Sequence, residues 1–269
     1  MFAEVWIAAC TALFVWWFST GAILIAVRRA DRQGGRAHLM NTLLGLPLLV
    51  LGLVMVGTSA SGLGVTAAYS GFIGALAIWG WVELAFLSGV ITGPERRACP
   101  KGLAPGARFF RAWWTVAYHE MALLAGLLIV AALSYGQPTD IALWTYLILF
   151  VARISAKLNV FFGVPRINTE FVPDPLAHLT SYFRQRSVTL MFPLSITILS
   201  FGTAFFLRQL WMAQSDAGLV AAALLSSLSA LALVEHWLMI VPLPDARLWR
   251  WMLPARTRTT SKESKTHGL

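Results

Sequence analysis

The chain has 269 residues, of which 58% are hydrophobic and only 12% charged, with mean hydropathy +0.69. A soluble domain of this length carries roughly twice that charged fraction, so too few polar side chains are present to cover a water-facing surface. The formal net charge of +9 does not indicate nucleic acid, because the basic residues lie in short connections between apolar runs and do not form one surface.

Seven apolar stretches are long enough to cross about 30 Å of hydrocarbon as helix. They fall at about 5–27, 39–58, 67–92, 112–133, 141–160, 187–207 and 217–241. The first ends in Arg28-Arg29 without a small-residue cleavage site, which predicts a retained anchor and not a signal peptide. Cys10 lies in that first stretch and Cys99 in a basic loop on the opposite side of the membrane, so no disulfide is expected.

The connections sort by charge. Arg28, Arg29, Arg32 and Arg36 follow the first stretch, and Arg96, Arg97, Lys101, Arg108 and Arg111 follow the third. Arg153, Lys157, Arg166, Arg184 and Arg186 surround the end of the fifth stretch and the loop after it, and six more Lys or Arg follow the seventh. The alternate connections, 59–66, 134–140 and 208–216, hold only Arg208. Twenty of the 21 basic residues thus fall on one side, which the positive-inside rule makes the cytoplasm. The expected fold is all-α: a polytopic integral membrane protein with seven helices in one bundle over 1–254, N-terminus outside, and a basic, disordered cytoplasmic tail over 255–269. Trp113, Trp114, Trp144, Trp211, Trp249 and Trp251 sit where belt residues sit. Gly71, Gly74 and Ala75, and likewise Ala222, Ser226 and Ala230, give thin faces for close helix packing.

The longest non-spanning part is 161–186, where Pro165, Pro173 and Pro175 forbid one continuous helix. Asp174-Pro175 reads as a helix start, and Leu176, Leu179 and Phe183 recur at i, i+3 and i+7. The pattern predicts an amphipathic helix over about 175–186 on the cytoplasmic membrane surface.

An ionisable group in a spanning helix costs about 2.5–3.5 kcal/mol on insertion scales, so the positions of such groups are informative. Glu83 lies in the third stretch, His119 and Glu120 in the fourth, and Glu235 and His236 in the seventh. All are expected in the cytoplasmic half, with Glu170 and His178 in the loop on the same side. Imidazole nitrogen and carboxylate charge at one depth could hold a transition metal, for which the full set Glu83, His119, Glu120, Glu170, His178, Glu235 and His236 is the candidate. Alternatively, His119, His178 or His236 could ligate the magnesium of a chlorophyll-type ring, or the acids and histidines could pair with one another and with Arg153 or Lys157. No metal signature such as His-Glu-x-x-His, nucleophile elbow, phosphate-binding glycine loop or Cys-x-x-Cys is present.

Several strings go further: Tyr118-His119-Glu120-Met121-Ala122-Leu123-Leu124, Lys157-Leu158-Asn159-Val160-Phe161-Phe162-Gly163-Val164-Pro165, Pro175-Leu176-Ala177-His178-Leu179, and Glu235-His236-Trp237 with Pro242-Leu243-Pro244-Asp245. Together they resemble the photosynthetic complex assembly protein family PuhE, over most of the chain from the third stretch to the start of the tail. The resemblance implies a bacterial inner or intracytoplasmic photosynthetic membrane, and reaction-centre or light-harvesting components as partners. The implied role is complex assembly or regulation of bacteriochlorophyll supply; no site residues are inherited from it. The alternative function is a metal-dependent membrane enzyme of pigment metabolism with a cytoplasmic-side Glu/His site.

Overall fold

The computed structural model describes residues 2–242; the tail expected over 255–269, with Trp249 and Trp251, lies outside the described residues. Eight α-helices account for most of them: α1 (Phe2–Gln33), α2 (Ala37–Leu44), α3 (Leu46–Ala60), α4 (Val65–Leu87), α5 (Pro105–Ser134), α6 (Ile141–Phe162), α7 (Met191–Met212) and α8 (Asp216–Leu238). With α2 and α3 counted as one span broken at Gly45, seven helical stretches are long and apolar enough to cross a membrane. Pro47, in the first turn of α3, brings no amide to bridge that break, and a Cβ on Gly45 would stand 2.9 Å from Leu84 of α4. The protein is therefore a seven-span, all-α membrane protein.

Where the apolar stretches and the helices differ, the cause is local. α1 continues to Gln33 because Arg28 and Asp31 pair one turn apart at 3.4 Å and carry the helix beyond its apolar part. α5 begins at Pro105, seven residues before the apolar stretch, with proline in the first turn where no amide is required. The third apolar stretch runs to residue 92, but α4 ends at Leu87. Gly89 adopts φ +72, its amide bonds Phe86 O at 2.8 Å, and the Val90 amide bonds Ala85 O at 3.0 Å. That paired closure ends a helix regardless of hydropathy.

α4 and α8 are the inner helices; 72% of the most apolar part of α4 is buried, against 17% for α1. Phe72 and Leu76 of α4 meet Leu224 and Leu228 of α8, with Ala8 and Ala12 of α1, Ile141 of α6 and Phe206 of α7 around them. The thin face of α4 works as its composition suggests: a Cβ on Gly74 would stand 2.9 Å from Met55 Cβ, and one on Gly71 would stand 2.6 Å from Ile141. Trp6, Phe14, Phe18, Leu44, Val54 and Phe201 stay exposed, as the lipid-facing side of a spanning bundle requires.

The 161–186 loop departs from the expected helix over 175–186. A 3-10 helix covers Asp174–Tyr182 only, and Phe183 is extended. Beyond it, the chain is pulled straight by pairing with the end of α6: Arg184 N bonds Val160 O, Val164 N bonds Arg184 O, and Arg186 N bonds Val164 O, at 3.0–3.2 Å. Leu176 and Leu179 are buried against Phe86, with Val116 and Phe183 beside them, so the apolar side of this segment packs on the protein itself.

Candidate functional site

α6 carries two polar pairs one turn apart, Arg153 with Lys157 and Ser155 with Asn159. At about 100° per residue, an offset of two positions turns the pairs to roughly opposite faces of the helix. This periodicity divides the polar interior into two clusters.

The first cluster lies between α4, α5 and α6. Arg153 Nη2 donates to Glu83 Oε2 at 2.9 Å, and Lys157 forms an ion pair and hydrogen bond with Glu120. Both cations lie over the Phe86 ring, at 5.7 Å for Arg153 and 5.4 Å for Lys157. His119 stacks on the same ring with centroids 4.1 Å apart, and its Nε2 is 3.7 Å from Glu83 Oε1, too far for a hydrogen bond. The imidazole is wholly buried, and neither ring nitrogen has a hydrogen-bond partner among the described residues. Backbone contacts hold it there: the His119 amide donates to Thr92 O at 2.9 Å, out of the helix, and Gly93 allows the 92–95 segment to press on α5. Glu235, at the end of α8, feels Arg153 as its charged neighbour and makes no hydrogen bond among the described residues.

The second cluster joins α6, α7 and α8. His236 Nδ1 lies 2.8 Å from Ala232 O and its Nε2 lies 2.9 Å from Ser155 Oγ. Because a carbonyl only accepts, Nδ1 carries the proton and Nε2 accepts from the Ser155 hydroxyl. Asn159 Nδ2 donates to Ser155 O at 2.9 Å and to Ser195 Oγ at 2.8 Å. Both His236 nitrogens are thus occupied, and a metal or pigment would have to displace one of these bonds.

The loop residues stand apart from both clusters. Glu170 is exposed, and its main-chain carbonyl accepts from Arg28 at 2.6 Å. His178 faces Arg96 and Glu95, and partial burial together with Arg96 lowers its pKa below the ordinary 6.5. Glu95 is itself held below the ordinary carboxylate range by the Arg97 amide at 2.9 Å and by Arg111 at 2.8 Å. The structure therefore gathers Glu83, His119, Glu120 and Glu235 around Arg153 and Lys157, separates His236 from them, and leaves Glu170 and His178 at the rim. Among the described residues no three His, Cys, Asp or Glu side chains come together as a metal-binding group. Ser155, Asn159, Ser195 and Phe86 were not singled out by the sequence; the i, i+4 spacing of Ser155 and Asn159 in an apolar helix was the available signal.

The fold and the paired charges inside it define a polytopic membrane protein in which Glu83 and Glu120 are matched by Arg153 and Lys157, and His236 by Ser155. The chain belongs to the family described as protein of unknown function (DUF3623), which matches residues 2–260. It is 48% identical over 250 residues to a protein of Rhodobacter capsulatus described as an uncharacterized 30.4 kDa protein in the puhA 5′ region; the match covers 93% of this chain and 91% of that protein. No solved structure matches the chain.

Proposed function

We propose that this protein is a membrane-embedded factor for assembly of the bacterial photosynthetic complex, or for regulating the bacteriochlorophyll supplied to it. The observation that carries this reading is the relative, similar over nearly its whole length, in the puhA 5′ region. The strings that resemble the PuhE family support it. They coincide with the structured interior, since His119, Glu120, Lys157, Asn159 and His236 all belong to the two polar clusters. Internal pairing suits a protein whose work is done by its shape and surfaces in the bilayer, with reaction-centre or light-harvesting components as partners. Its membrane is then the bacterial inner or intracytoplasmic photosynthetic membrane. With 20 of 21 basic residues on one side, the N-terminus lies outside and the C-terminus in the cytoplasm. Reporter fusions at 62, 137 and 214 should then report the outer compartment, and fusions after 100 the cytoplasm.

The test is deletion of the gene in a phototrophic host, complemented with the wild-type chain, His119→Ala or His236→Ala, while protein abundance and the membrane absorption spectrum are followed. Loss of the long-wavelength pigment bands on deletion is expected. Normal abundance of a histidine variant with altered pigment would place that residue in function, whereas loss of the variant would assign it to the fold. Unchanged spectra on deletion would overturn the proposal, and one or two equivalents of bound metal in the purified protein would favour the metal-dependent enzyme instead.

A further inference from the structure

Three arginines meet where α5 begins and α6 ends, with no acid paired to them among the described residues. Arg108, in the first turns of α5, is 7% exposed; one guanidinium nitrogen donates to Tyr182 O, and the other, Nη1, is buried with no hydrogen-bond partner among the described residues. Its guanidinium lies 4.3 Å from the centre of the Phe161 ring. Among the described residues the charged side chains that act on it are Arg184 and Arg186, and the Cys99 thiol is a hydrogen-bonding neighbour that favours its charge. Arg186 donates from Nε to Phe162 O at 2.9 Å, and the Arg184 side chain makes no hydrogen bond or ion pair among the described residues.

The backbone holds this arrangement in place. Residues 184–186 are pinned in extended form against the end of α6, and alternation along an extended segment directs Arg184 and Arg186 to one side. Gly163, at φ +135, leaves room for the Arg186 stem, because a Cβ there would stand 2.5 Å from Arg186 Cγ. A fixed group of like charges, one of them buried with an open donor, is destabilised by mutual repulsion until an anion joins it.

We propose that Arg108, Arg184 and Arg186 form a binding site for a phosphate group. Guanidinium forks match phosphate geometry, and Nη1 of Arg108 is the unused donor. The surroundings favour a phospholipid headgroup as the source of that phosphate. Phe109, Phe110, Trp113 and Phe162 are exposed at 36–65% around this end of α5 and α6, and such aromatics mark the boundary between acyl chains and headgroups. A headgroup phosphate there would sit at the level of the arginines while its acyl chains lie along the aromatic side chains.

The test uses the full-length protein, delipidated in a neutral detergent. Binding of phosphatidylglycerol, phosphatidylcholine and inorganic phosphate is measured by native mass spectrometry and by shift of the unfolding temperature. Wild type should bind phosphatidylglycerol, and Arg184→Gln and Arg186→Gln should each weaken it about tenfold, as expected for loss of one charge-assisted contact. The Arg184 side chain has no hydrogen bond or ion pair to lose among the described residues, and its removal relieves repulsion on Arg108, so its variant should match or exceed the unfolding temperature of the lipid-free protein. Arg36→Gln, an exposed arginine outside the cluster, serves as the control for diffuse attraction. Selective stabilisation by phosphatidylglycerol supports the lipid source, and equal stabilisation by inorganic phosphate supports the same site with a soluble phosphate ester as ligand. Equal affinity of Arg184→Gln, Arg186→Gln and wild type for every probe, or equal weakening by Arg36→Gln, would overturn the site.

Discussion

Replacing Glu83 by Gln removes the charge that faces Arg153 while keeping nearly the same volume. Arg153 lies nine residues, about 14 Å, before the end of α6 at Phe162, inside the spanning stretch. Breaking one side of a buried ion pair costs about 3–5 kcal/mol. Here Arg153 keeps its position over the Phe86 ring, which reduces the expected loss to about 2–3 kcal/mol. The assay is unfolding of the detergent-solubilised protein by a denaturing surfactant, run as a cycle of Glu83→Gln, Arg153→Met and the double variant. The double variant should be more stable than Glu83→Gln alone, because it does not leave the Arg153 guanidinium without its carboxylate, and the coupling should exceed about 1 kcal/mol. Additive losses, with coupling below about 0.3–0.5 kcal/mol, would show that the 2.9 Å contact does not hold the helices together.

Ser155→Ala leaves His236 Nε2 without its donor in a buried site, and a loss of about 1–3 kcal/mol is expected in the same unfolding assay; no measurable loss would mean that the imidazole is satisfied some other way. Gly93→Ala would place a Cβ 2.0 Å from Trp114 O, so the 92–95 segment must lift from α5, with a loss of about 1–3 kcal/mol and faster hydrogen exchange at the His119 amide. Unaltered exchange there would contradict the packing described. His178 has a folded pKa below the ordinary 6.5, so the unfolded chain takes up a proton first as pH falls. The contribution of His178 is complete above 6.5 and is lost as pH drops through the lower folded value. Thermal stability followed down a pH series should therefore fall less steeply for His178→Asn than for wild type, and identical slopes would refute the assignment.

The spanning helices were legible because the bilayer imposes one simple rule on them, a long apolar run. Their ends were less so, because hydropathy reports where lipid stops, whereas a helix stops where its backbone groups find other partners. Gly89 ends α4 among apolar residues, and the Arg28–Asp31 pair carries α1 past them. The polar interior was partly legible for the same reason. Ionisable residues stand out in apolar helices, and Arg153 and Lys157 were visible as partners for Glu83 and Glu120. What the spacing alone does not show is which partners the two polar faces of α6 meet, with His236 going to Ser155 and not to His119. The loop misled because Leu176, Leu179 and Phe183 carry an amphipathic period whether the surface they cover is lipid or Phe86.

The contact between Glu83 and Arg153 spans 70 residues of chain. At a synthesis rate of about 5–20 residues per second, α4 waits roughly 4–14 s before the residue that matches its carboxylate has been made. The helix that becomes the most enclosed in the finished bundle is thus, for that interval, the one least suited to the bilayer. Chains cut short between α5 and α6 should release α4 from the membrane more readily than any other span, so the order of the helices makes the third crossing conditional on the fifth.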